Sequence, residues 1–168
     1  MSKDLILCES GLRFTLEQNK TFLPEQEPFY KSLSAKVSIK ICDIVYLNPT
    51  NELLLIELKS SSPRESQEFV QEIKQKFVDT LLLYIGTVFN RKNTPSASLP
   101  PTLNEPSSLQ KKIRLVLIVK GHKRAWLPPL HDSLRKECRA LEKLFSLEET
   151  QVYNQQLASQ KLGLIIEE

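Results

Sequence analysis

Between Val37 and Lys59 the chain spells out two strands and the turn that joins them, and this stretch limits the possible folds more than any other. Val37, Ile39, Ile41, Asp43 and Val45 alternate with Ser38, Lys40, Cys42, Ile44 and Tyr46, the period of two that a strand requires. Leu53 to Lys59 is a second strand, apolar until Glu57. Asn48-Pro49-Thr50-Asn51 lies between them. Proline suits the first central position of a type I turn, Asn48 the position before it, and Asn51 tolerates the left-handed conformation that closes a three-residue loop. With Asn48 facing Glu52, counting back sets Asp43 opposite Glu57.

The residues beyond Lys59 turn this hairpin into a mixed sheet. Ser62-Pro63-Arg64-Glu65 reads as a helix start, with Ser62 as N-cap, Pro63 in the first turn and Glu65 completing a capping box. Val70, Ile73, Phe77, Leu81, Tyr84 and Val88 recur at helical spacing, and Leu81 to Ile85 is apolar all round, which predicts burial on most sides. Ile113 to Val119 is a continuous apolar run, the mark of a buried strand. A helix between Lys59 and Ile113 makes those strands parallel through a right-handed crossover. The fold class is therefore α/β: a mixed sheet core of hairpin, helix and parallel strand, flanked by helices.

Around this core, Leu5 and Leu7 before Ser10-Gly11 and Leu12, Phe14 and Leu16 after it predict a hairpin over 3–16, and Phe29, Tyr30 and Leu33 a short helix opening at Pro28. The segment 93–109, rich in Pro, Ser and Thr, reads as a long mobile loop. Leu134, Cys138, Leu141 and Leu144 mark a helix after Pro128-Pro129, Ser146-Leu147-Glu148-Glu149 repeats the capping-box pattern, and 162–166 suggests a last strand. With 168 residues the chain is expected to form a single domain.

Composition narrows the setting. No apolar run approaches the roughly 20 residues of a membrane helix. Leu5 to Cys8 is cut short by Glu9, so no secretory leader is expected and the mature chain is read as starting near Met1. Cys8, Cys42 and Cys138 have no CxxC spacing, which argues against a disulfide framework and for a reducing cytoplasm. A net charge of +3 tolerates a nucleic-acid partner without requiring one.

Chemistry concentrates at Asp43, Glu57 and Lys59. Side chains alternate along a strand, so Glu57 and Lys59 share a face about 7 Å apart, and the hairpin register adds Asp43 to it. Two carboxylates are what a hard divalent ion such as Mg²⁺ or Mn²⁺ requires, and a neighbouring amine can position an attacking water or counter charge on a phosphate. Such a site suits metal-assisted phosphodiester hydrolysis. The same residues also fit a strand whose last charged positions simply meet water. The parallel crossover places Lys59 at the same edge as Lys120, Lys123 and Arg124, a basic loop fit for phosphate, while Lys111, Lys112 and Arg114 fall roughly 20 Å away at the other end of the strand. His122 sits in that loop, and Trp126 is expected to seal a core edge.

Asp43 followed by Ile56-Glu57-Leu58-Lys59 resembles the PD-(D/E)xK nuclease superfamily, whose restriction-endonuclease-like fold carries Asp on one strand of a hairpin and Glu-x-Lys on the next. Cys42 stands where that pattern often has proline, and Phe14, Phe29-Tyr30 and Lys40 look like an uncharacterised bacterial branch. The resemblance implies a Mg²⁺- or Mn²⁺-dependent nuclease, most naturally acting on DNA, with Asp43, Glu57 and Lys59 catalytic and Asp43 and Glu57 on the metal. Glu9 is a further candidate ligand, since many such nucleases bring an acid from the N-terminal element. The alternative implied is a non-catalytic interaction or nucleic-acid-binding subunit of a larger bacterial, defence-related complex, with a protein partner or a second copy.

Overall fold

Ser10 and Gly11 both take left-handed backbone angles (φ 51° and 75°), the turn that matches the twist of two antiparallel strands. It joins β1 (Asp4–Glu9) to β2 (Leu12–Glu17) in the register Leu7 to Phe14 and Glu9 to Leu12. This is a computed structural model, and it describes residues 3–63, 66–90 and 99–168. The chain continues through β3 (Thr21–Phe22), α1 (Pro28–Ser34), β4 (Ile44–Leu47), β5 (Leu53–Lys59), α2 (Gln67–Val88), β6 (Ile113–Val119), α3 (Leu127–Phe145), β7 (Gln151–Tyr153), α4 (Gln155–Leu162) and β8 (Ile165–Glu167).

The central sheet has five strands in the order β3-β4-β5-β6-β7, with β4 antiparallel to β5 and β5, β6 and β7 parallel. It is a mixed α/β architecture flanked by helices, as the sequence pattern predicts. A second sheet, β1-β2-β8, is three-stranded and antiparallel. Alternation along β5 and β6 builds two cores. Leu53, Leu55, Leu115 and Leu117 face α2 and α3 with Ile73, Phe77, Leu81 and Leu134. Leu54, Ile56, Leu58, Val116 and Ile118 face the first hairpin and α4 with Leu12, Phe14, Leu16 and Leu162. A central strand buried on both faces reads as a continuous apolar run, as β5 and β6 do.

The turn after β4 obeys its residues closely. Asn51 is left-handed (φ 64°), its N–H donates to the Asn48 carbonyl at 2.9 Å, and the Asn48 side chain accepts from the Glu52 N–H at 2.8 Å. Asn48 and Glu52 face each other and Ile44 pairs with Ile56, so the next pair in register is Asp43 with Glu57.

Several elements differ from the sequence pattern. The strand expected over 37–45 forms only from Ile44, because the preceding amides are taken by α2: the Lys40 N–H donates to Asp79 Oδ2 at 3.0 Å and the Cys42 N–H to Thr80 Oγ1 at 2.7 Å. Ser62 does not cap α2; Ser66 does, accepting from the Phe69 N–H at 3.1 Å, and the expected role of Glu65, with Arg64, lies outside the described residues. Leu82 in the all-apolar turn is 56% exposed. Of the expected loop over 93–109, residues 93–98 lie outside the described residues, and the part from Leu99 onward is not free: Leu99, Leu103 and Ser108 are buried, and the Tyr84 hydroxyl donates to the Leu103 carbonyl at 2.8 Å.

The C-terminal third departs further. Ser146 ends α3 in a left-handed conformation instead of starting a helix, with the Leu147 N–H on the Glu142 carbonyl, and Leu144 points outward at 80% exposure. The strand expected over 162–166 is displaced to Ile165–Glu167, because Asn154 caps α4 and Gly163 (φ 66°) terminates it at Leu162.

Candidate functional site

Parity decides what Glu57 meets. Like Leu53 and Leu55, it lies on the face of β5 that α2 covers, and at 1% exposure it is the one charged residue among the described residues to be buried so fully. A carboxylate taken out of water needs compensation, and α2 supplies it: Lys76 Nζ lies 2.6 Å from Glu57 Oε1. Lys59, two residues along the strand, brings its ammonium to 3.3 Å from the same oxygen and to 3.3 Å from Glu72 Oε1, one helical turn before Lys76. Charges therefore alternate Glu72, Lys59, Glu57, Lys76 between strand and helix. Glu57 Oε2 has no hydrogen-bond partner among the described residues.

Asp43 completes the group from the adjacent strand. The ladder pairs β4 with β5 as far as Ile44 and Ile56; beyond it, Asp43 Oδ2 accepts the Leu58 N–H at 2.7 Å. The side chain thus takes over where the backbone pairing stops. Burial raises the Asp43 carboxyl above the usual aspartate range, opposed by the Leu58 bond and the charge of Lys76. Burial, then the charge of Asp43, pushes Glu57 up to about 7 against the pull of both lysines. Burial works against the Lys76 ammonium, but the hydrogen bond and charge of Glu57 outweigh it, and Lys76 is held above the ordinary lysine range.

Asp43, Glu57 and Lys59 thus gather at one end of the hairpin. Glu9 is the last residue of β1, beside the first hairpin turn, where its Oε1 accepts from the Ser10 N–H at 3.0 Å. The Ser10 hydroxyl donates to the Leu58 carbonyl at 3.2 Å, tying that turn to β5, and the charge of Glu9 adds to the rise at Asp43. Among the described residues no group of three or more His, Cys, Asp or Glu side chains is disposed to hold a metal.

The basic loop after β6 sits beside Lys59, as the parallel pairing requires. The Lys120 N–H donates to the Lys59 carbonyl at 2.9 Å and its ammonium to the Gly11 carbonyl at 2.8 Å. A Cβ at Gly11 would stand 2.9 Å from that ammonium, on a backbone at φ 75° that already favours glycine. Lys123 lies over the Trp126 ring at 5.0 Å, His122 packs edge-on to it, and Arg124 opens the adjoining 3-10 turn; Trp126 itself is 41% exposed. At the far end of β6, Arg114 binds Glu52 at 2.9 Å, Lys112 pairs with Glu148, and Lys111 donates to Asn51.

Lys76 and Glu72 escape the sequence pattern. Their only trace is the Glu-x-x-x-Lys spacing on the helix after Glu57-Leu58-Lys59. Two glutamines of that helix serve its neighbour, since Gln67 and Gln71 both donate to Glu137 of α3, while Gln75 donates to Asp79 within α2. Among the described residues no helix is long and apolar enough to cross a membrane. No family model, curated protein or solved structure matches this chain.

Proposed function

We propose that this chain is a metal-dependent nuclease that hydrolyses phosphodiester bonds, in DNA by preference, with Asp43 and Glu57 holding Mg²⁺ or Mn²⁺ and Lys59 beside them. The observation that carries this reading is Glu57: a buried carboxylate in an otherwise apolar strand, with Oε2 unpartnered, at the point where Asp43 replaces the ladder. A strand end that merely met water would not bury its acid. Two carboxylates fit a hard ion that fills its remaining positions with water and substrate phosphate. Bound there, the ion would supply an activated water and polarise the phosphate.

The chain's own residues take the remaining tasks. Lys59, a quarter exposed and 3.3 Å from Glu57, can offer its ammonium to a phosphate oxygen. Asp43 is oriented by the Leu58 N–H. Lys120, Lys123 and Arg124, at the same edge, can bind flanking phosphates, because contacts to the backbone position a nucleic acid without reading its sequence.

The 2.6 Å pairing of Lys76 with Glu57 favours a second reading, a nuclease-fold subunit that binds nucleic acid or a protein without cleaving, since an ion-paired acid has its charge balanced without a metal. Cleavage assays on DNA and RNA with and without Mg²⁺ or Mn²⁺ separate the two. The nuclease cuts only with metal, and Lys59→Ala loses at least about a hundredfold of the rate, the scale of general acid-base and electrostatic contributions, with an unchanged circular dichroism spectrum. Cleavage that survives Asp43→Ala and Glu57→Ala removes the assignment. Metal-independent binding without any cleavage establishes the second reading.

A further inference from the structure

The alternating charges between β5 and α2 leave Glu72 and Lys76 without a role in the proposed hydrolysis. Lys76 comes from the covering helix, reaches Glu57 Oε1 at 2.6 Å, and remains 17% exposed at its side chain. Lys59 touches the same oxygen at 3.3 Å but is also held by Glu72. Glu57 Oε2 is buried and unpartnered, so the carboxylate has spare coordinating capacity that neither ammonium uses. An ammonium and a divalent ion cannot share so small a space without strong repulsion in a setting largely shielded from water. A lysine stem is long and flexible, and a partly exposed one has a path to solvent.

We infer that Lys76 is a displaceable internal counter-ion: its ammonium holds the Glu57 carboxylate while the site is empty and must leave Glu57 when a divalent cation loads. This rests on the proposed metal site and adds its regulation. Ion entry is thereby coupled to the release of α2 from β5 at this point, and the divalent affinity of the native chain is lowered by the competition. Lys76 is a positioning residue here, acting through Glu57 alone.

The test uses Mn²⁺ alone, without nucleic acid, titrated calorimetrically into the full chain and into Lys76→Met and Lys76→Arg at one fixed pH. Removing one competing charge of this kind is expected to tighten Mn²⁺ binding by about tenfold or more in Lys76→Met. Lys76→Arg, which keeps the cation, should bind as the native chain does. Native and Lys76→Met chains that bind equally, or a Met variant that binds more weakly, overturn the counter-ion role and leave the metal site standing. No Mn²⁺ binding by the native chain or either variant removes the metal site and this inference together. Should Lys76→Met fail to fold, the native chain labelled with ¹³C at lysine Cε decides the matter. Saturating Mg²⁺ must move the Lys76 resonance to the position of a solvated lysine, and a resonance that stays in place overturns the inference.

Discussion

At Glu57, folding and chemistry pull in opposite directions. Burial first, and the charge of Asp43 second, raise its carboxyl from 4.5 to about 7, so between those values the folded chain keeps a proton that the unfolded chain has lost. A group raised in this way stabilises the fold fully below the lower value, and the contribution is lost as the pH rises through the higher one. Glu57→Gln cannot ionise. Relative to the native chain, its unfolding free energy should gain on the order of 2–3 kcal/mol between pH 4.5 and pH 8, measured by urea denaturation at both. A difference that does not change with pH would mean an ordinary glutamate. Asp43, Glu57 and Lys59 were legible because strand alternation and turn chemistry place them without knowledge of distant parts. Lys76 was not, because a glutamate and a lysine beside an apolar stripe look like any solvated helix face until the burial of Glu57 is known.

Helix ends depend on more than their local residues. Ser62 and Ser66 both precede acidic or polar residues, and local pattern cannot say how far the chain must travel from β5 before α2 lies on the sheet. The helix starts four residues later than the first serine allows, and the bond from the Phe69 N–H goes to Ser66. Ser66→Ala should cost about 1 kcal/mol, whereas Ser62, whose hydroxyl has no partner among the described residues, should change stability by less than about 0.5 kcal/mol as alanine; thermal unfolding of both variants distinguishes the sites. Ser146 misleads in the same way, since its pattern is that of a start and its backbone that of an end. The proline-rich stretch hides a different fact. Tyr84 donates to Leu103 and shares a 2.7 Å bond with Ser108, so Tyr84→Phe should cost about 1 kcal/mol by removing these bonds and leaving the Leu103 carbonyl to the Ser108 hydroxyl at 3.4 Å, with faster amide exchange over 99–110 as the local readout.

For the whole molecule, the parallel pairing of β5 with β6 sorts positive charge into two ends. At one, the loop of Lys120, Lys123 and Arg124 follows β6, with the Lys120 N–H on the Lys59 carbonyl; at the other, Arg114 and Lys112 are tied to Glu52 and Glu148. Neutralising the first trio should weaken DNA binding and flatten its salt dependence by about 0.9 in slope for each phosphate that the protein no longer neutralises. Neutralising Lys111, Lys112 and Arg114 should affect binding less and the melting temperature more. Titrations across a salt series settle the order, and a larger binding loss at the second end would move the nucleic-acid surface there. This topology was readable because a long helix between two apolar strands permits little else. The placement of α4 and β8 was not, since α4 packs on β6 and β8 pairs with β2, partners distant in sequence.

The place where the β4–β5 ladder gives way to the Asp43 side chain also bears on how such a chain can change over generations. Asparagine at 43 could still receive the Leu58 amide, and glutamine at 57 could still accept from Lys76, so both acids can be exchanged for amides with these local hydrogen bonds kept. Ancestry through this fold therefore need not preserve the proposed hydrolysis. On the proposed reading, a lineage could drift from cutting nucleic acid to merely holding it by steps that keep those contacts.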